Sequence, residues 1–140
     1  LLLVLPTTSF AQTEDELQQK FLKFLDRGMG IEGWVDSDGD VQFEYNEKTY
    51  FIEVNESDPQ FFRLVLFNIW PIESISEQAQ VLAAVDAVNR QQKVIKAYTT
   101  NDNVWIAMEV FLNDIDDYEA FLERGLEVIE GGVDVFVGEM

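Results

Sequence analysis

A chain of 140 residues that is 47% hydrophobic, with 11 Phe, 4 Tyr and 3 Trp, has enough apolar surface to build one buried core, which excludes an extended disordered chain. Its 27 Asp and Glu against 9 Lys and Arg give a net charge of −18, a field that repels nucleic-acid phosphates and anionic lipid. With no Cys and no His, it has no disulfides, thiol nucleophiles, thiolate zinc sites or imidazole bases.

The chain opens on Leu1, Leu2, Leu3, Val4 and Leu5, followed by Pro6, and Ser9 and Ala11 stand at −3 and −1 of a small-residue cleavage pattern. Residues 1–11 therefore read as the remnant of a signal peptide, with Gln12 first in the mature chain and the protein exported, periplasmic or secreted. No later stretch approaches ~18 consecutive apolar residues, so no stable membrane insertion is expected after cleavage. Residues 12–140 are then expected to form one domain.

Thr13 with Glu16 is a capping-box pattern, and Leu17, Phe21, Phe24 and Leu25 follow at helical spacing, which predicts a helix over 14–27 that stops at Gly28 and Gly30. Across 33–54 the spacing changes to two: Val41, Phe43 and Tyr45 alternate with Gln42 and Glu44, and Tyr50 and Ile52 with Phe51 and Glu53. Asp38-Gly39 and the stretch Asn46, Glu47 and Lys48 punctuate this region as turns. The run 61–69 is almost wholly apolar and reads as a central strand. Ser74 with Glu77 caps a second helix, with Ile75, Ala79, Leu82, Val85 and Val88 expected on its buried face. Residues 93–99 and 103–111 form a hairpin around Asn101-Asp102, and a last helix starts at Asn113 or Asp114. Gly131-Gly132 is expected to end that helix and release a β-like tail over 133–137. The resulting expectation is an α+β fold of order α-β-β-β-α-β-β-α, an antiparallel sheet of about five strands with helices mainly on one face.

That order, with the run Gly33-Trp34-Val35-Asp36-Ser37-Asp38-Gly39-Asp40-Val41-Gln42-Phe43 leading into Tyr50-Phe51-Ile52, resembles the YbjN-like family over roughly residues 14–129. Members of that family are similar in architecture to type III secretion chaperones, which are small, acidic and often dimeric and bind an extended segment of a partner protein. The resemblance implies the fold and a protein-binding role without catalytic residues. The expected export segment departs from the chaperones, which act in the cytoplasm.

Three groupings of acids invite a chemical reading. Asp36, Asp38 and Asp40 could gather oxygen ligands for Ca²⁺, although, with Glu47 at the twelfth position, Val41 stands at the sixth where an EF-hand needs Gly; the alternative is a solvated turn. Asn113, Asp114, Asp116 and Asp117 suit a helix N-terminus, and Glu119, Glu123 and Glu127 a solvent face. A hydrolase built on two carboxylates is the one catalytic alternative, and no GxSxG or phosphate-binding loop occurs. Trp34, Trp70 and Trp105 exceed what a one-sided sheet needs for its core. An apolar sheet face turned away from the helices would suit a homodimer or an added partner strand. The function expected is thus a non-catalytic protein-binding or chaperone-like module of the bacterial cell envelope, with an acidic Ca²⁺- or cation-binding domain as the alternative.

Overall fold

Alternating strands joined by tight turns make the frame of the molecule, and helices at both ends and in the middle fold back over it. The structure is a computed structural model describing residues 12–140; the expected cleavage segment at 1–11 lies outside them. In chain order the elements are α1 (Glu14–Met29), β1 (Gly33–Val35), β2 (Val41–Tyr45), β3 (Lys48–Ile52), β4 (Phe61–Leu66), α2 (Ile75–Gln91), β5 (Ile95–Thr100), β6 (Asn103–Phe111), a 3₁₀ turn (Ile115–Asp117) and α3 (Tyr118–Glu139). The architecture is α+β, with a wholly antiparallel six-stranded sheet of order β1-β2-β3-β4-β6-β5. Four strands precede α2, the three-residue β1 being the one beyond the expected order.

The local signals act as their chemistry demands. Thr13 Oγ1 accepts the Glu16 amide at 3.2 Å and Ser74 Oγ the Glu77 amide at 3.1 Å, each satisfying an orphan donor of a first helical turn. Gly30, at φ 68°, closes α1 in the left-handed conformation that lets its amide reach back to Asp26 and Leu25. Tyr45 pairs with Lys48 and Thr100 with Asn103, so each hairpin turns in two residues. Those residues, Asn46-Glu47 and Asn101-Asp102, all have positive φ, the geometry of a turn whose twist matches its strands.

All three helices cover one sheet face. Val41, Phe43, Tyr50, Ile52, Leu64, Ile106 and Met108 point into this core and meet Leu17, Phe21 and Leu25 of α1, Val81, Val85 and Val88 of α2, and Leu122, Leu126 and Ile129 of α3. Glu130 fastens α3 to the β2–β3 hairpin by accepting from Tyr50 Oη at 2.7 Å and Lys48 Nζ at 2.9 Å. Burial and the adjacent carboxylate push the Tyr50 phenol well above its ordinary range, so it remains a donor. At the outer edge of β5, Asn89 of α2 donates to the Ala97 carbonyl at 3.1 Å and accepts the Ala97 amide at 2.7 Å.

Two expectations are overturned. Residues 133–137 are not a β-like tail but the last turns of α3, and Gly131-Gly132 lies inside the helix. The stripe Leu122, Leu126, Ile129, Val133, Phe136 continues without a break at steps of three and four, and the burial it achieves outweighs the strand preference of valine. Gly132 supports this path, because a Cβ there would stand 2.6 Å from Ile95 Cδ1. The second correction concerns α2. Its buried residues are Val81, Ala84, Val85, Ala87 and Val88, whereas Ile75 and Leu82 are 88% and 49% exposed and Ala79 is exposed too. The helix is apolar on more than one side, so periodicity did not choose the face. Close approach to α3 did, since Val88 lies beside Gly132. The regular strand in the 61–69 run ends at Leu66, and after Asn68 takes a positive φ the Ile69 amide again donates to the Val104 carbonyl at 2.9 Å.

Phe136 is fully buried and its ring lies 5.8 Å from that of Trp70, whereas Val137 is half exposed. Phe136→Ala is expected to cost ~3–5 kcal/mol in urea unfolding, and Val137→Ala to stay within ~0.5 kcal/mol. Similar losses at the two positions would contradict the helical tail.

Candidate functional site

Strand residues on the opposite parity point away from the helices, and the central ones among them are apolar and buried. Across the middle of this open face run Trp34, Gln42, Phe51, Val65, Ala107 and Lys96, which stand opposite one another in successive strand pairs. Val65 and Ala107 have 0% exposure and Phe51 8%, although no helix covers them. What covers them is a layer of their own neighbours: Phe67, Tyr98 and Trp105 pack over this floor. The rings meet at tilted and edge-on angles, with centroids 5.6 Å apart for Phe51–Phe67, 5.9 Å for Phe51–Trp105 and 5.9 Å for Phe67–Trp105. Such geometry adds quadrupolar attraction to area burial. Farther along the strands Phe61 and Phe111 form a second aromatic pair at 5.6 Å, and Phe111 is 82% exposed.

Arg63 is the more deeply placed of two cations within this surface. Arg63 Nε donates to Glu109 Oε1 at 3.0 Å, its other nitrogens face Glu53 and the Tyr98 hydroxyl, and its Cζ lies 5.9 Å from the Phe51 ring centre. Lys96 adds a second cation on Glu109 at 2.8 Å. Burial raises the Tyr98 phenol above its usual range, opposed by the positive charges of Arg63 and Lys96. The charge of Arg63 is therefore already answered inside the face. Of the three tryptophans, Trp34 and Trp105 belong to this face. Trp70 packs on the core edge and donates from Nε1 to Glu77 Oε1 at 2.8 Å, and that bond, with the Glu73 amide, holds the Glu77 carboxyl below its ordinary range.

The loop between β1 and β2 places Asp36, Asp38 and Asp40 at one end of the face. Asp36 Oδ1 accepts the amides of Asp38 at 2.9 Å and Asp40 at 3.0 Å, its Oδ2 accepts Gln42 Nε2 at 2.9 Å, and Asp40 Oδ1 accepts the Val54 amide at 2.8 Å. These bonds, with Gly39 at φ 88°, form a side-chain-closed turn. Desolvation is the main cause that raises the Asp40 carboxyl above its ordinary range. The Val54 bond opposes it, and the charges of Asp36, Glu53 and Asp38 add to it. Among the described residues no three acidic side chains converge closely enough to hold a metal ion. The other two acidic groups are placed as structural and solvent-facing residues. Asp114 and Asp117 close a reciprocal capping box, Asp116 pairs with Lys20, and Glu119, Glu123 and Glu127 are exposed.

A sheet backed by helices on one side and floored with aromatic side chains on the other defines an α+β domain with a preformed platform. The family model described as T3SS (YopN, CesT) and YbjN peptide-binding chaperone 1 matches residues 15–135, and the chain belongs to this family of peptide-binding, chaperone-like domains. No curated protein matches the chain. No helix among the described residues is long and apolar enough to cross a membrane.

Removing the Asp36 carboxylate strips three hydrogen bonds from the turn. Asp36→Ala should therefore destabilise the protein by ~1–3 kcal/mol to the same extent with and without millimolar Ca²⁺. A wild-type melting temperature that rises with Ca²⁺, and fails to do so in the variant, would establish a calcium site at Asp36, Asp38 and Asp40 instead.

Proposed function

We propose that this protein is a non-catalytic, chaperone-like module that holds an extended segment of a partner protein against the open face of its sheet. The observation that carries the reading is the aromatic layer of Phe51, Phe67, Tyr98 and Trp105 on a sheet face without helices. An extended segment offers alternate side chains to such a face about every 7 Å. The described residues supply rings and methyl groups there, with the cations Arg63 and Lys96 tied into ion pairs, which is the equipment of a binding surface rather than of acid–base catalysis.

Self-association is a second property that a distinct observation favours. On the outer side of α2, Ile75, Ala79, Leu82 and Ala83 form an exposed apolar stripe at helical spacing, suited to a symmetric helix-to-helix contact between two copies. The place of work we propose is the cell envelope, on the strength of the apolar run and the Ser9 and Ala11 pattern before Gln12. Amino-terminal sequencing of protein recovered from an envelope fraction should begin at Gln12, and recovery of the uncut chain from the cytoplasm would overturn that placement.

Trp105→Ser should weaken capture of apolar extended peptides by about tenfold or more, read by the fluorescence anisotropy of a dye-labelled peptide, while leaving the far-ultraviolet circular dichroism unchanged. Unaltered affinity would move the binding surface elsewhere. On the same samples, light scattering should register a dimer that Leu82→Lys dissociates without affecting peptide capture.

A further inference from the structure

The open face has a marked charge asymmetry at one end. A cleft of ≈ 460 Å³ lies between the aromatic floor of Phe51, Phe67 and Trp105 and a rim made by Asp36, Asp38, Asp40 and Glu53. Four carboxylates thus line the cleft together with one guanidinium, that of Arg63, which makes its closest acidic contact with Glu109 and stands 3.8 Å from Glu53. Among the described residues no Lys or Arg pairs with Asp36, Asp38 or Asp40. Asp36 and Asp40 are committed to the turn, as described above, whereas the exposed Asp38 carboxylate accepts no hydrogen bond from the described residues. The rim continues past Gln42 into a second cleft of ≈ 700 Å³ that Trp34, Glu44 and Glu47 border, where the one cation, Lys48, is bound to Glu130.

We propose that the segment held on the open face carries at least one lysine or arginine among its apolar residues. That basic side chain lays its stem on Phe67 and Trp105 and sets its charged head against Asp38 and Glu53. This inference rests on the peptide-holding reading and adds the chemistry of the peptide to it. A long cationic side chain is the one natural type that is apolar along its length and charged at its tip, which matches a floor of rings ending in a row of carboxylates. The rim is repulsive to itself: the Asp40 carboxyl is already pushed up by its acidic neighbours as well as by burial, and an incoming cation would relieve that repulsion. The same charges disfavour a second copy of this chain as the occupant, because a protein of net charge −18 would bring its own acids to the contact.

The test is selection of a displayed random nonapeptide library on the chain beginning at Gln12, followed by titration of an end-capped selected peptide and its Lys/Arg-to-Gln analogue. The selected pool should be rich in apolar residues together with Lys or Arg, and the basic peptide should bind about tenfold or more tighter than the Gln analogue, with the difference shrinking as salt rises. The double variant Asp38→Asn/Glu53→Gln should reduce that preference to about twofold or less. The exposed pair Glu123→Gln/Glu127→Gln on α3 removes the same charge from the helical side and should leave the preference intact. Equal binding of the basic and Gln peptides, or equal loss of preference in both double variants, overturns the inference while the peptide-holding reading stands. A pool with no enrichment at all overturns that reading and the inference with it. A dimer that Trp105→Ser dissociates would make a second copy the occupant and overturn the basic segment.

Discussion

All three helices shield one side of the six-stranded sheet, and the centre of the other side is apolar as well. On the helical side the solution is ordinary interdigitation, with leucines and valines of α1, α2 and α3 filling the space above Phe43, Tyr50 and Leu64. On the other side the sheet is roofed by its own strand residues. Phe67, Tyr98 and Trp105 fold across Val65 and Ala107 and bury them completely without any further element. Rings suit this task because they cover a large area at a cost of two side-chain torsions each. The result is a layer that is part of the stability of the sheet and is also its outer surface.

The charged residues near this layer follow from the same arrangement. A guanidinium over Phe51 would be costly to desolvate alone, and Glu53, Glu109 and the Tyr98 hydroxyl meet its donors. The β1–β2 loop then brings in three further carboxylates, with which no lysine or arginine among the described residues pairs. The face is therefore graded, neutral and aromatic in the middle and anionic at one end, and that gradient is local rather than a by-product of the acidic composition.

Much of this was legible in the residues themselves. Capping pairs at Thr13/Glu16 and Ser74/Glu77, period-two spacing from Val41 to Ile52, and turn residues at Asn46 and Asn101 are local signals, and local physics was sufficient to set those elements. The alternation in 103–111 likewise put Trp105 and Ala107 on the side opposite Ile106 and Met108. The failures came where two local signals competed or where a helix had more than one apolar side. Glycines at 131 and 132 and the valines after them spoke for a strand, and the longer stripe ending in Phe136 decided the matter. In α2 alanines and valines surround the axis, so only the proximity of Gly132 on α3 selects which of them are buried. For the candidate site, Trp34, Trp105 and the three aspartates could be singled out from sequence. Phe51, Phe67, Arg63 and Tyr98 could not, because their convergence depends on the order in which β4 and β6 pair.

The side-chain amide of Asn89 has a wider consequence. A strand at the margin of a sheet ordinarily offers unsatisfied donors and acceptors to any other chain, and repeated joining of such margins builds ribbons and fibrils. Here the amide and carbonyl of Ala97, midway along β5, are already occupied by a group that cannot propagate the ladder. At the opposite margin β1 contributes only three residues. A protein with an aromatic sheet face turned to solvent is thus protected against sideways joining of its sheets, and the safeguard on the β5 margin is a single asparagine.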